Sequence, residues 1–375
     1  MNTGKVMKSV PSFVNRLFAV AVLSIGLLLG ACSDDEGGLA KVATEASPER
    51  SESTSEVHSL EDGSTYQGQL KNGDKNGQGV YIWPNGDRYD GEWKNGLMSG
   101  QGTFEDNQGH VYSGHWQNGV FDGRGIYRWP SGSRYEGGFA GGKKNGVGTY
   151  EWADGRVYRG EFKNDLKQGS GTYTWPDGRK YMGEFNADKR TGRGKMLYPD
   201  GEIYEGEFAD GERTGQGTRT QSDGVVYEGE FKGDLAEGRG VMEWPTGERY
   251  EGEFVTDLPN GSGVKQWPSG NRYDGNFKAG VMDGRGVLTF ADGRVYDGQF
   301  KMGKRSGKGT LAWPSGEKYA GEFIDGMREG RGVFTWPDGS KYVGGFQQNA
   351  LHGRGVCSMD GADTPCRFDR GVRIE

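Results

Sequence analysis

Tyr recurs every 23 residues from Tyr66 to Tyr342, and no insertion or deletion interrupts the thirteen repeats that it marks. Counted from each Tyr at position 0, Gly occupies positions +2, +11 and +13 in every repeat. Position +4 is Phe or Trp in twelve repeats, and Trp occupies position +17 in eight. A period this regular indicates a repeat architecture, in which each copy is one supersecondary unit that packs against its neighbours.

Each repeat is predicted to form two β-strands. The segment YEGEF from Tyr250 alternates aromatic or Gly residues with polar residues, which is the period of two expected of a strand. The segment GTYTWPDG places Gly171, Tyr173 and Trp175 on one face and then turns at Pro-Asp-Gly. Between the strands we expect a loop, such as KNDLKQ after Phe162. Because 71 of the 375 residues are Gly, helices are strongly disfavoured.

Thirteen hairpins joined by short turns predict an all-β antiparallel meander of about 26 strands. The glycines at +2 and +13 lack a Cβ, so these columns should leave room for neighbouring rings to lie flat along the sheet. Such a core of rings and glycines explains how a chain with only 32% hydrophobic residues can fold. The aromatic residues assigned to the repeat structure include Tyr66, Trp83, Trp129, Trp152, Trp175, Trp244, Trp267, Trp313 and Trp336.

The repeat Tyr-x-Gly-Glu-Phe/Trp, followed by Gly-x-Gly and Trp-Pro-Asp-Gly, closely resembles the MORN repeat (membrane occupation and recognition nexus). The resemblance extends over residues 59–361 at a constant period. It implies an elongated, twisted antiparallel sheet of tandem hairpins, a solenoid-like single sheet. Arrays of this family are associated with scaffolding, dimerisation and membrane organisation, and recognition of phospholipid headgroups has long been proposed for them.

Residues 1–31 are predicted to be a lipoprotein signal peptide. Lys5, Lys8 and Arg16 precede an apolar run over 17–30, which is shorter than the roughly 20 residues that span a bilayer. The sequence Leu-Gly-Ala-Cys at 29–32 resembles the bacterial lipoprotein box, which implies cleavage before Cys32 and acylation of that residue. A transmembrane helix and a cleaved secretory signal without lipid are the alternatives.

Residues 32–58 are expected to form the acylated cysteine and a disordered acidic tether. The segment after Cys32 holds seven acidic residues, two basic residues and no aromatic residue, so it buries too little surface to become ordered. The expected location is the bacterial cell envelope, with the chain anchored by lipid to a membrane. Ser33 favours the outer membrane, on its periplasmic or its external side.

Residues 362–375 are predicted to form a half-repeat that caps the last strand. Cys357 stands at a ring position of repeat thirteen, and Phe368 stands at the +4 position of the half-repeat. If these two strands pair, Cys357 and Cys366 can form a disulfide bond, as is common in exported proteins. A metal or redox role is the alternative, but the spacing is not Cys-x-x-Cys and paired His ligands are missing from the sequence.

Two repeats have a polar residue at +17, where the others have an aromatic residue or Met. Repeat seven has Arg219 at +15 and Gln221 at +17, and repeat two has Asp106 at +17. These residues mark either a binding site or a hinge, or they are drift. A repeat protein tolerates drift because its stability is nearly a sum of local terms.

No catalytic site is predicted. Glu recurs at +3 in many repeats, and a carboxylate that returns every 23 residues indicates structure rather than one acid–base site. The segment 303–310 lacks the spacing of a phosphate-binding loop, and the four His are scattered. We therefore expect no enzyme activity, no cofactor and no metal.

The leading hypothesis is a lipid-anchored scaffold that presents a repeat surface to an unknown envelope protein or polymer, with homodimerisation left open. The net charge of -7 argues against nucleic acid as a partner. The first alternative is binding of phospholipid headgroups, with Lys143, Lys144, Lys304 and Arg305 as the candidate residues. The second alternative is binding of glycan or peptidoglycan, in which exposed rings stack on sugars.

Overall fold

The computed structural model describes residues 52–53 and 56–375. The described residues contain thirty β-strands and no helix, which confirms the predicted all-β class. The described residues divide into two compact units, with the boundary between Leu166 and Lys167. The predicted signal peptide, Cys32 and most of the predicted tether lie outside the described residues.

The strands of the first unit are β1 (Glu52–Ser53), β2 (His58–Ser59), β3 (Thr65–Lys71), β4 (Asp74–Ile82), β5 (Arg88–Lys94), β6 (Leu97–Glu105), β7 (Val111–Gln117), β8 (Val120–Arg128), β9 (Arg134–Ala140), β10 (Lys143–Glu151) and β11 (Val157–Lys163). Strand β12 (Leu166–Thr174) begins at the unit boundary. The strands that follow in the second unit are β13 (Lys180–Asn186), β14 (Lys189–Leu197), β15 (Ile203–Ala209), β16 (Glu212–Thr220), β17 (Val226–Lys232), β18 (Leu235–Glu243), β19 (Arg249–Val255), β20 (Leu258–Gln266), β21 (Arg272–Lys278), β22 (Val281–Thr289), β23 (Val295–Lys301), β24 (Lys304–Ala312), β25 (Lys318–Ile324), β26 (Met327–Thr335), β27 (Lys341–Gln347), β28 (Ala350–Met359), β29 (Ala362–Asp369) and β30 (Val372–Arg373).

Within each unit, consecutive strands of the repeats pair antiparallel, which confirms the predicted meander of hairpins. In repeat nine, Tyr250 lies opposite Lys265, and Gly252 lies opposite Gly263. Gly263 also lies opposite Gly275 of the next repeat. The +2 and +13 columns therefore form a row of glycines that crosses the strands.

The glycine row exists because the ring of the position-0 Tyr covers it. A Cβ built on Gly263 would lie 2.4 Å from the Tyr250 hydroxyl oxygen and 2.6 Å from Cζ, distances at which atoms overlap. The Tyr250 hydroxyl donates a hydrogen bond to the Glu253 carbonyl oxygen at 3.0 Å. The predicted room for rings over the glycines is thus filled by Tyr, whose hydroxyl is also satisfied in the core.

The turn inside each hairpin is shorter than the loop predicted from the sequence. In repeat five, Asn164 and Asp165 have φ of 49° and 72°, and β12 begins at the next residue. Two consecutive residues with positive φ form the two-residue turn that fits the twist of a hairpin, and Asn, Asp and Gly tolerate this conformation best. The predicted loop KNDLKQ was therefore wrong, because half of it belongs to the second strand.

The turn between repeats follows the Trp-Pro-Asp-Gly prediction. Gly178 donates its backbone N–H to the Trp175 carbonyl at 3.1 Å, and Trp175 donates to the Arg179 carbonyl at 2.9 Å. Gly178 has a φ of 92°, which a residue with a side chain rarely adopts. Pro at the second position and Gly at the fourth are the residues that this turn requires.

The Glu row at +3 is structural, as its period indicated. The Glu92 Oε1 atom accepts the backbone N–H of Gln101 at 2.9 Å, beside the point where the register shifts between Gly91 and Trp93. Gly100, at +11, leaves the space for this carboxylate, because a Cβ there would lie 2.3 Å from Glu92 Oε2. The carboxylates thus satisfy backbone groups that the bulge leaves unpaired.

Additional pairing covers both ends of the described meander. At the C-terminal end, Cys357 and Cys366 form a disulfide bond with their Cα atoms 5.9 Å apart, and the Phe368 ring lies 5.1 Å from the Tyr342 ring. At the other end, 52–53 and 58–59 pair with β3. The free backbone groups of β3 offer the edge to which these two short strands add.

We expect Gly263→Ala to lower the free energy of unfolding by about 1 to 3 kcal/mol, because the added methyl overlaps the Tyr250 ring. Urea unfolding of the single variants and of Tyr250→Ala/Gly263→Ala measures the coupling between the two sites. The double variant should lose less free energy of unfolding than the sum of the losses of the two single variants, because the smaller side chain at position 250 removes the overlap. Strictly additive losses would contradict a direct contact.

We also expect cooperative unfolding in alkali. Burial raises the pKa of Tyr250, Tyr273 and Tyr296 to about 12, from 10.0 in the unfolded chain. Their contribution to stability is therefore complete below pH 10 and is lost as the pH rises towards 12. Circular dichroism and tyrosinate absorbance should change together in this window, whereas ionisation near pH 10 with an intact sheet would contradict the prediction.

Candidate functional site

The two faces of the repeat differ in how much aromatic surface they expose. The face that carries the position-0 Tyr is called the ring face here, and the other is called the polar face. Twelve of the position-0 tyrosines are 0% exposed. In contrast, the Trp residues at +17 are only half-buried, although the rings at +15 contact them, as Tyr173 contacts Trp175 at 4.4 Å. The outer edge of the ring face therefore keeps indole surface accessible.

A row of cations at position +9 lies over the buried rings. The Arg328 guanidinium carbon lies 5.4 Å from the Trp313 ring and 5.7 Å from the Tyr319 ring, within the range of cation–π attraction. Burial lowers the pKa of Arg305 and Arg328, but a guanidinium remains charged at neutral pH. The row supports the packing of the rings, and its members are Lys75, Lys144, Lys167, Arg190, Arg213, Arg305 and Arg328.

The four basic residues proposed from the sequence occupy positions +8 and +9 of repeats four and eleven: Lys143, Lys144, Lys304 and Arg305. The structure gives three of them protein partners. Lys144 Nζ lies 3.6 Å from Asp165, and Lys304 Nζ lies 3.4 Å from Asp325. Arg305 donates to a turn carbonyl at 2.5 Å. Within each pair, the +9 residue lies over the rings while the +8 residue is exposed, so neighbouring cations do not combine into one patch.

A cavity of about 570 Å³ opens on the ring face where repeat seven lacks its aromatic residues. Here Arg219 stands at +15, a position that is Met in both adjacent repeats, and Pro259 stands at +9, a position that is a cation in seven repeats. Its lining combines aromatic, aliphatic and charged residues: Glu202, Arg219, Gln221, Asp223, Val225, Met242, Trp244, Tyr250, Asp257, Leu258, Pro259, Lys265, Phe277 and Gly280. The volume is within the range of about 300 to 1,000 Å³ that is typical of ligand pockets.

Arg219 is the buried polar group of this cavity. Its side chain is 9% exposed, and one terminal nitrogen donates to Asp257 Oδ1 at 2.9 Å. The Nε atom is buried and has no hydrogen-bond partner within the described residues. Leaving a buried donor unpaired costs about 1 to 3 kcal/mol. A ligand with an acceptor oxygen would remove that cost.

Lys265 adds a second cation beside the indole row. Its Nζ lies 2.9 Å from Glu248 and 5.2 Å from each of the Trp244 and Trp267 rings. The cavity therefore joins aromatic walls to hydrogen-bonding groups, an arrangement that binds and orients a ligand. No Ser, Cys or His is among its lining residues.

The second departure has a local explanation. Asp106 Oδ1 accepts the backbone N–H groups of Gln108 and His110, each at 2.9 Å, and Oδ2 lies 2.8 Å from His110 Nδ1. The carboxylate thus closes the turn between repeats two and three, as Asp commonly does in turns. Asp106 stabilises a turn, whereas Arg219 forms a cavity.

A groove of about 1040 Å³ lies on the polar face of repeats ten to thirteen. One exposed cation from position +12 of each repeat lines it: Arg285, Lys308, Arg331 and Arg354. These residues escaped sequence-based prediction, although a cation flanked by two glycines in four consecutive repeats was visible. Asp257 and Lys265 also escaped sequence-based prediction, because their proximity to Arg219 depends on strand register rather than on sequence spacing.

Among residues 52–53 and 56–375, no group of three or more His, Cys, Asp or Glu side chains is placed to hold a metal ion. In the same part of the chain, no helix has the length and apolar character needed to cross a membrane.

The family model described as MORN repeat matches thirteen consecutive segments, which together make up more than half of the chain. They are residues 66–88, 89–111, 112–134, 135–155, 158–178, 181–203, 204–226, 227–249, 250–272, 273–293, 296–318, 319–341 and 342–361. Their starting points coincide with the position-0 tyrosines. No curated protein matches the chain.

Several solved structures are similar over part of the chain. The TCP10 domain of Danio rerio CPAP is 16% identical, with 63% of this chain and 95% of that chain covered and a TM-score of 0.22. The TCP10c domain of Drosophila melanogaster Sas-4 is 11% identical, with coverages of 47% and 98% and a TM-score of 0.26. Virginiamycin B lyase from Staphylococcus aureus is 12% identical, with coverages of 80% and 98% and a TM-score of 0.13. Scores this low carry no inference about function.

Restoring the aromatic columns in repeat seven should stabilise the protein. The double variant Arg219→Tyr/Gln221→Trp replaces a buried, incompletely paired cation by rings, and we expect a gain of about 0.5 to 2 kcal/mol. Asp257 keeps its hydrogen bond from the Ala236 N–H at 2.9 Å. Thermal unfolding of the variant and the parent provides the measurement. A lower midpoint would show that Arg219 holds the repeat together and is not a site residue maintained at a cost to stability.

Proposed function

This chain belongs to the MORN-repeat family, and we propose that it is a non-enzymatic scaffold that holds an envelope protein or polymer on its ring face while a lipid on Cys32 anchors it to a membrane. The repeat match by itself suggests a membrane- or phospholipid-associated repeat protein. The envelope location, the outer membrane and the acylation of Cys32 are parts of the proposal, and they rest on the sequence pattern at 1–36.

The observation that carries the proposal is the Arg219 cavity beside a row of half-buried indoles. Trp244 and Lys265 line the cavity, and Lys265 also contacts Trp267 of its own repeat, the ninth. Aromatic and Arg side chains that surround a partly desolvated pocket dominate the binding energy of many interfaces. A partner that fills the cavity would also cover the adjacent indoles, which provide further apolar area.

Of the two alternatives, glycan binding is favoured by one specific observation. The half-buried Trp side chains at +17 leave indole surface on which sugar rings can stack. Binding of phospholipid headgroups has less support on the ring face, because Lys144 and Arg305 are held over buried rings and Lys304 faces Asp325. An anionic lipid would have to replace these interactions.

Photo-crosslinking in the organism that makes the protein tests the ring-face proposal. A photoreactive amino acid at Trp267 should give a discrete adduct, because this position borders the Arg219 cavity. The matched control at Glu251, an exposed polar-face position of the same repeat, should give none. The adduct should disappear in the Arg219→Tyr/Gln221→Trp background, and its sensitivity to protease or to glycan-degrading enzymes separates a protein from a polymer.

Equal adducts from both positions, or an adduct that persists in the variant, would contradict the ring-face site. Membrane fractionation of Cys32→Ser tests the anchor independently. Loss of the protein from the membrane fraction supports lipid attachment, whereas unchanged membrane association would mean that the repeats themselves bind the membrane.

A further inference from the structure

The polar face of the second unit changes its charge along the repeats. Position +1 is acidic in repeats seven to eleven, where it is Glu205, Glu228, Glu251, Asp274 and Asp297. In repeats twelve and thirteen the same position is Ala320 and Val343. The carboxylates of this column therefore end at repeat eleven, partway along the continuous row of cations at +12.

The cations of the groove are largely available to a ligand. Arg285 is 81% exposed and lies 3.6 Å from Asp297, which is itself half exposed. Lys308, Arg331 and Arg354 are exposed and make no ion pair within the described residues. Only two carboxylates, Asp297 and Glu322, line the groove beside these four cations.

The groove is long and shallow. Each repeat adds two strands, so successive +12 cations are separated by about 9 to 10 Å, and the four together extend on the order of 30 Å. Its floor consists of repeat glycines and of small or β-branched residues such as Ala320, Val333 and Val343. Such a surface suits an extended ligand with regularly spaced negative charges.

We propose that this groove binds a linear acidic glycan whose acid groups pair with the +12 cations of repeats ten to thirteen. A sugar chain with one carboxylate per disaccharide presents its charges at a spacing similar to that of the row. Its apolar C–H surface would lie on Ala320 and Val343, while the carboxylates accept charge-assisted hydrogen bonds. This site is on the opposite face from the Arg219 cavity and does not depend on it.

Other extended anions fit the groove less well. A peptide cannot add to it as a strand, because every strand from β22 to β28 already pairs on both sides. No Phe, Tyr or Trp lines it, so the bases of single-stranded nucleic acid would lack the row of aromatic rings on which successive bases stack. A flat anionic membrane would also meet Glu228 and Glu251 on the same face and be repelled by them.

The test is binding of fluorescent hyaluronan oligosaccharides, which carry one carboxylate per disaccharide, to the purified full chain, with neutral dextran as the reference. We expect Lys308→Gln/Arg331→Gln to weaken binding by about tenfold for each cation removed. The matched control Arg193→Gln/Arg239→Gln removes the same charge from exposed +12 positions of repeats six and eight. Gln occurs naturally at this position in repeats one, two and seven, so both variants should fold.

Loss of binding in the groove variant alone, together with a steep dependence on salt, supports the site. Equal losses in both variants would show that hyaluronan responds only to net charge. If hyaluronan does not bind, the proposal that the groove binds an acidic glycan is wrong. The proposal is also wrong if the protein instead floats with vesicles of phosphatidylcholine and phosphatidylglycerol and this flotation depends on the groove cations. None of these outcomes alters the crosslinking result at Trp267, so the two sites are tested separately.

Discussion

The contact between the position-0 Tyr and the glycines at +2 and +13 is the constraint on which the rest of the structure depends. In repeat nine, the Tyr250 ring occupies the space that a Cβ on Gly252 or Gly263 would need, and its hydroxyl bonds to the backbone three residues ahead. The core therefore consists largely of rings and glycines, with ring contacts such as Tyr250–Phe277 between successive repeats, and it needs few aliphatic residues. The same contact fixes the identity of three columns, while columns outside it are free to differ between repeats.

Both proposed sites arise in the columns that this contact leaves free. At +15, Arg219 lines a cavity without disturbing the Tyr204 and Tyr227 contacts on either side, because both rings remain 0% exposed. At +12, the side chain lies on the polar face, where a cation, Gln or Ser is equally compatible with the sheet. The fold can thus vary its two surfaces independently, since neither variation affects the buried tyrosines.

Much of the fold could be predicted from the sequence because the same residues, Tyr at position 0 and Gly at +2 and +13, recur in all thirteen repeats. The strands, the glycine row and the turn at Trp-Pro-Asp-Gly follow from residues whose conformational preferences are strong. The hairpin turn was predicted too long, because Asn164 and Asp165 reach positive φ without the Gly that usually signals it. The side-chain contacts of the sites could not be predicted in the same way, because the Arg219–Asp257 pair is separated by 38 residues and only the strand register brings its members together.

The two-residue turns have a consequence for how the binding groups are spaced. Because every hairpin of the second unit has the same length, equivalent side chains of successive repeats are displaced by a constant two strands, about 9 to 10 Å. Duplication or loss of one whole repeat would preserve each Tyr and Gly contact and change only the number of evenly spaced groups on each face. The constant length of the repeat therefore sets the distance between binding groups. An evolving gene could adapt the number of these groups to a longer or shorter ligand by gaining or losing 23 codons at a time, without altering the Tyr–Gly contacts of the core.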